Sequence, residues 1–119
     1  MLATPVSITY DSVAYSFERV NQDNYSAEYM STTVPTGISA MRMSVKHTIP
    51  KRGSTGESHS VKLDIDYVDT EGDYSHTESV WVNAKTFSGL QDTATLQKTL
   101  DALIGLVPSI DSKVLGRES

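Results

Sequence analysis

Polar side chains recur at every second position in three stretches of the chain. Arg42, Ser44, Lys46 and Thr48 alternate with Met41, Met43, Val45 and His47. Ser60, Lys62 and Asp64 alternate with Val61, Leu63 and Ile65, and Ser79, Trp81, Asn83 and Lys85 with Val80, Val82 and Ala84. Period two is the mark of half-buried strands, whose successive side chains point to opposite faces. If these strands are neighbours, Arg42, Lys46, Lys62 and Lys85 share one surface with an indole, an amide and several hydroxyls. Lys and Arg take phosphate, an aromatic face stacks on an unpaired base, and Ser or Asn reach base edges. That set suits single-stranded RNA. A solvated sheet face is often polar without binding anything, but an indole in the solvent phase has no core to fill, and Trp81 tilts the reading.

Other chemistry has little footing. The sequence contains no cysteine, which removes disulfide scaffolds, thiolate catalysis and cysteine-based zinc or iron–sulfur sites. His47, His59 and His76 fall in separate strands without metal-ligand spacing. His47 and His59 take the apolar phase, where a hydrogen-bonded, half-buried imidazole is the ordinary reading. Gly53-Ser54-Thr55-Gly56 has neither the spacing nor the ending of a phosphate loop, and no nucleophile elbow is present. Asp69, Glu71 and Asp73 match no calcium-loop pattern and read as a solvated acidic turn. Asp64 and Asp66, at i and i+2 on one face, leave a carboxylate-dependent hydrolase geometrically open. The sequence favours no enzyme, metal or cofactor.

The elements that must position these residues follow from the same periodicity. With 119 residues, 38% hydrophobic and 21% charged, the chain fits a single domain over residues 1–119. Residues 1–20 form an N-terminal hairpin about Asp11-Ser12, and Asn21-Gln22-Asp23-Asn24 is a polar turn. Residues 25–87 form the main sheet, with strands expected at Tyr25–Val34, Ile38–Ile49, His59–Val68 and His76–Phe87. Pro50–Ser58 is a basic, glycine-containing loop, and Asp69–Tyr74 an acidic connector. The helical C-terminal region covers 89–116. Leu96, Leu100, Leu103, Ile104 and Val107 mark one stripe of an amphipathic helix, capped by Ser88 with Gln91 or by Asp92. Pro108 is expected to end it, with a short second helix over Ser109–Gly116. Strands first and helices last is an α+β order.

No apolar run reaches the ~20 residues of a membrane span. The first residues lack the basic and apolar regions of a signal peptide, so the chain is expected to stay in the compartment where it is made. The sheet poses a covering problem. Four long strands at ~4.8 Å spacing are roughly 20 Å wide, and one helix ~10 Å across covers about half of that. A second copy in a two-fold dimer supplies the missing cover; a monomer whose hairpin folds over the sheet is the alternative.

Taken in order, the N-terminal hairpin, Ser26-Ala27-Glu28-Tyr29, Arg42-Met43-Ser44-Val45-Lys46, Ser60-Val61-Lys62-Leu63-Asp64, Trp81-Val82-Asn83 and an amphipathic helix after Phe87-Ser88 span nearly the whole chain. This order resembles the coat proteins of the single-stranded RNA bacteriophages, the leviviral family. The resemblance implies an antiparallel sheet of about five strands per subunit. Two such sheets join edge to edge in an interlocked dimer with a continuous ten-stranded sheet, helices cover the outer face, and dimers build an icosahedral shell. It further implies a virion component assembled in the bacterial host cytoplasm, with genomic RNA and an RNA hairpin as partners and no membrane. In studied members hairpin binding represses replicase translation. In those members two pockets take unpaired adenines, and by position the pocket residues here would be Ser26, Arg42, Ser44, Ser60 and Lys62. Lys46 would contact backbone, Trp81 would stack on a loop base, and Asn83 would contact the hairpin. Arg42 and Ser26 depart from the small or apolar groups familiar there. A dimeric α+β interaction module without RNA or capsid role is the competing reading.

Ten Lys plus Arg against fifteen Asp plus Glu give a formal charge of −5, which on its face argues against nucleic acid. The chain has faces, however, and the sequence places its acidic residues chiefly at 69–73 and in turns. A basic RNA surface must then be local.

Overall fold

The computed structural model describes residues 4–48, 57–85 and 93–117. The chain divides into two compact units, residues 1–49 with 58–83, and residues 50–57 with 84–119. Six strands lie side by side in chain order: β1 (Val6–Tyr10), β2 (Val13–Gln22), β3 (Ser26–Ser31), β4 (Ile38–Thr48), β5 (Ser58–Val68) and β6 (Tyr74–Lys85). A helix, α1 (Thr93–Leu115), follows. Among the described residues no helix is long and apolar enough to cross a membrane.

The hairpin turns where expected. Asp11 and Ser12 both take positive φ, 49° and 67°, the two-residue turn whose twist matches that of antiparallel strands. The hairpin also extends the main sheet, because Phe17, Glu18 and Arg19 of β2 pair with Ser31, Met30 and Tyr29 of β3. β1 and β5 are four steps apart in this order, about 19 Å in a flat sheet. Their tyrosines nonetheless meet, with the Tyr10 and Tyr67 hydroxyls 3.0 Å apart. The sheet therefore curls until the hairpin lies over its own apolar face.

Inside the curl, Phe17, Tyr29, Ile38, Met41, Met43, Val45 and Ile65 are buried, with Val6, Ile8, Tyr15 and Leu63 packed against them. Burial of a side chain such as Phe17 contributes roughly 1.5–3 kcal/mol. Met41, Met43 and Val45 are the apolar phase expected for β4. Ile38 joins them because a register shift between Ile38 and Ala40 moves the strand's phase by one residue. Cover remains incomplete: Val61, in the apolar phase of β5, is 45% exposed, and Val80 on β6 is 69% exposed. The fold-over weighed as the monomeric cover is thus present, and it leaves Val61 and β6 open.

Several boundaries differ from expectation. A bulge at Val20 slips the register from Arg19 opposite Tyr29 to Asn21 opposite Glu28, and β2 runs on to Gln22. The turn accordingly falls at 23–25, where Asp23 Oδ1 accepts the N–H of Tyr25 at 2.8 Å and of Ser26 at 2.7 Å. β3 stops at Ser31 rather than Val34, and the Thr32 N–H returns to the Ser16 carbonyl at 2.9 Å. α1 passes through Pro108 as one element, which corrects the expected stop and second helix. A proline inside a helix forfeits a backbone bond and costs about 3 kcal/mol. Ile110 and Val114 continue the apolar stripe from Val107 at i+3 and i+7. Ser109 Oγ donates to the Leu106 carbonyl at 2.7 Å beside the proline. The expected caps at Ser88, Gln91 and Asp92, the end of the last strand at 86–87, and most of the 50–58 loop lie outside the described residues.

Candidate nucleic-acid interface

Strand pairing carries the polar phases of β3, β4 and β5 onto one face. Ser26 stands opposite Lys46, Glu28 opposite Ser44, and Met30 opposite Arg42. Across the next boundary Lys46 faces Ser60, Ser44 faces Lys62, and Arg42 faces Asp64. β6 continues the face through side-chain bonds. Ser79 donates to Asp64, Thr77 to Asp66 at 2.6 Å, and Ser58 to the Asn83 side-chain oxygen at 2.8 Å.

Within this face Ser44, Lys46, Ser60, Lys62 and Trp81 line one hollow of about 220 Å³. Trp81 is 63% exposed, and Lys62 Nζ lies 5.8 Å from its ring centroid, within cation–π reach. Ser26 sits beyond Lys46, in a neighbouring hollow at the 23–25 turn. Arg42 lines a third hollow of about 180 Å³ with Ser44, Glu28, Val20 and Met30. Asn83 is held by Ser58. Lys85 ends β6 within the second compact unit.

The electrostatics depart from the cationic surface expected. One guanidinium nitrogen of Arg42 donates to both oxygens of Asp66, at 2.8 and 2.9 Å. Lys62 Nζ lies 3.5 Å from Asp64 Oδ1, and Glu28 adds a third carboxylate opposite Ser44. Among the described residues Lys46 is the ammonium of this face without an ion-pair partner. Asp23 lies near Lys46, with its carboxyl held below the ordinary 3.8 by the Tyr25 N–H first, then by Ser26, with a smaller part from the Lys46 charge. Asp64 was visible in the polar phase of the sequence. That Asp66 reaches Arg42, and that Glu28 and Val20 join the face, follows from register and a bulge that no local pattern encodes.

The other candidate chemistry is absorbed into the fold. Asp64 and Asp66, the conceivable hydrolase pair, are engaged by Ser79 and Lys62, and by Thr77 and Arg42. His47 and His59 face each other with their Nδ1 atoms 2.8 Å apart, as the apolar phase suggested. His76 stacks on Tyr67, ring centroids 4.8 Å apart. Among the described residues no cluster of His, Asp or Glu could hold a metal ion.

Residues 3–87 match the family model described as phage phiCb5, coat protein. In fold the chain is similar to the virus-like particle of Beihai levi-like virus 21, with a TM-score of 0.77 and 15% identity over 100% of this chain and 98% of that one. The bacteriophage GA protein capsid gives 0.63 at 15% identity, over 98% of each chain. An unassembled virus coat protein dimer, described as a bacteriophage RNA-binding dimer, gives 0.56 at 15% identity over 98% of this chain and 95% of that one. Among curated protein sequences none matches. At such identities these structures speak for the fold alone, an antiparallel meander followed by a C-terminal helix. The family match covers the hairpin and every strand that builds the polar face, and it is to a structural class of protein rather than an enzyme class. By that match the chain belongs to the phage phiCb5 coat protein family, and its fold is that of the leviviral coat proteins.

Proposed function

We propose that the chain acts over residues 1–119 as one coat domain that dimerises, assembles into an icosahedral shell and holds single-stranded genomic RNA against its polar sheet face. The observation that carries the RNA reading is the hollow where Trp81 stands 63% exposed beside Lys62 and Lys46. An indole left in water costs apolar hydration, and every unpaired base offers a face to cover it. Trp81 stacks, Lys46 takes phosphate, and Ser44 and Ser60 bond a base edge. Ser26, Lys62, Asn83 and Lys85 extend the contact, and Arg42, tied to Asp66, shapes the wall. The same hollow suits an unpaired base of an RNA hairpin, and a hairpin at the replicase start would make the bound coat protein a repressor of translation.

Two features support the interlocked dimer. β6 is a twelve-residue edge strand with Val80 and Trp81 exposed, and an open edge of that length is a template for pairing. α1 carries an apolar stripe at Leu96, Leu100, Leu103, Ile104 and Val107, which suits a partner's uncovered sheet. Relatives of this fold are described as virus-like particles and as a dimer.

Expressed by itself in bacteria, the full chain should assemble in the host cytoplasm. Electron microscopy should then show closed particles, and the purified material should carry nuclease-protected RNA. Dimers that never assemble and carry no RNA would establish the α+β interaction module instead.

A further inference from the structure

Beside the tryptophan hollow, and sharing Ser44 with it, lies the hollow of about 180 Å³ on the same face. Four strands build it. The bulge in β2 brings Val20, β3 gives Glu28 and Met30, β4 gives Arg42 and Ser44, and β5 gives Asp64. Register fixes the neighbours: Glu28 stands opposite Ser44, Met30 opposite Arg42, and Arg42 opposite Asp64. Val20 is 57% exposed and Met30 39%, two apolar side chains left in water among polar ones. A flat ring with a polar rim covers such groups while its edge meets their charged neighbours.

The polar groups decide which ring. The Glu28 side chain makes no hydrogen bond or ion pair among the described residues, so both its oxygens are open acceptors. Asp64 meets Ser79 and Lys62 through Oδ1, which leaves Oδ2 open as well. Arg42 engages Asp66 through Nη2, and a guanidinium has further N–H donors on its other nitrogens. Two carboxylates beside one guanidinium that already faces a third repel phosphate and attract N–H donors. Guanine alone among the four bases presents two adjacent donors on its Watson–Crick edge, N1–H and N2–H, next to the O6 acceptor. Adenine and cytosine offer one donor beside an acceptor there, and uracil one donor between two acceptors. We propose that this hollow reads guanine: Glu28 accepts N1–H and N2–H, Arg42 donates to O6 with the N–H groups that Asp66 does not engage, and Val20 and Met30 contact the ring. This rests on the reading of the polar face as the RNA surface, and it departs from the adenine that the leviviral resemblance implies. In a duplex that edge of guanine is already paired, so the hollow takes an unpaired base.

Trp81 is the single tryptophan of the sequence and lines the adjoining hollow, so its fluorescence reports binding on this face. The full unassembled chain is titrated with short oligouridylates identical but for the central base, which is uracil, adenine, hypoxanthine or guanine. All should quench Trp81 in the native chain. The guanine oligomer should bind about tenfold tighter than the adenine one. Hypoxanthine, which keeps O6 and N1–H but lacks N2–H, should fall between them. Glu28→Gln replaces one of the two acceptors by a donor and should bring the guanine and adenine oligomers to about equal affinity. Equal affinity of those two oligomers for the native chain overturns the proposal. So does a guanine preference that survives Glu28→Gln, including one in which every oligomer binds tighter by the same factor once the charge is gone. Failure of all four oligomers to quench Trp81 overturns the RNA face as a whole, and is seen in the native chain before any substitution is made.

Discussion

Lys46 and Arg42 lie on the same face and carry the same charge, yet they are not equivalent. Arg42 spends its guanidinium on Asp66, whereas Lys46 makes no ion pair among the described residues. Each cation that neutralises a phosphate releases counterions, which appears as the slope of log affinity against log salt, about 0.7 per contact for single strands. Lys46→Ala should therefore weaken RNA binding and flatten that slope by about 0.7. Asp66→Asn should act in the opposite sense, freeing Arg42 to reach phosphate and steepening the slope. Filter binding over a series of salt concentrations reads both. Equal slopes in all three proteins would place the RNA elsewhere. Residue types and strand phase were enough to pick out the hollow of Ser44, Lys46, Ser60, Lys62 and Trp81 from sequence. The carboxylates that quench part of its charge were not legible, because a diagonal neighbour such as Asp66 depends on which residue of β5 faces which residue of β4.

At the scale of elements, the hairpin is fastened to the far side of the sheet by a pair of hydroxyls. Tyr67 is pushed up to about 12 by its hydrogen bond with Tyr10 first, then by burial and by the charge of Glu78. Its ordinary value is 10.0, so the protonated phenol is favoured in the folded state. The stability it lends is full below about pH 10 and is lost as pH climbs through about 12. Melting temperatures of the native chain and of Tyr67→Phe should thus differ near neutrality and converge across that window. A constant difference would mean that the hydroxyl pair does not hold the hairpin. Strands of regular alternation were readable from sequence because one face of each meets the core. The bulge at Val20 escaped that reading, since a single unpaired residue leaves the local alternation looking intact. Pro108 misled for a different reason: the helix runs through it, and the apolar spacing continues on the far side at Ile110 and Val114.

At the scale of the whole molecule, the proposed dimer is tested at the β6 edge. Val80 is 69% exposed in the apolar phase of that strand, and a lysine there is the kind of residue that keeps natural edges from pairing. Val80→Lys should shift the chain from dimer to monomer in analytical ultracentrifugation and abolish particles. Val13→Lys, at a site also exposed, 52%, on the N-terminal hairpin, should leave the dimer intact. Equal behaviour of the two variants would mean that subunits meet elsewhere. Strand count and helix number led to the expectation of a second cover. Which part of the sheet stays open was not legible, because the curl that brings Tyr10 to Tyr67 decides it.

The two margins of this sheet are unequal: β1 has five residues and β6 twelve. In the language of polymer chemistry, a molecule with one reactive end couples once and stops, whereas one with two grows without limit. An antiparallel edge that pairs with its own copy about a two-fold axis is used up in the act. A short opposite margin offers little for a third molecule to extend. In the proposed dimer, the long strand at one side and the brief one at the other make the subunit monofunctional toward sheet growth, so that pairing terminates rather than running on into a fibre.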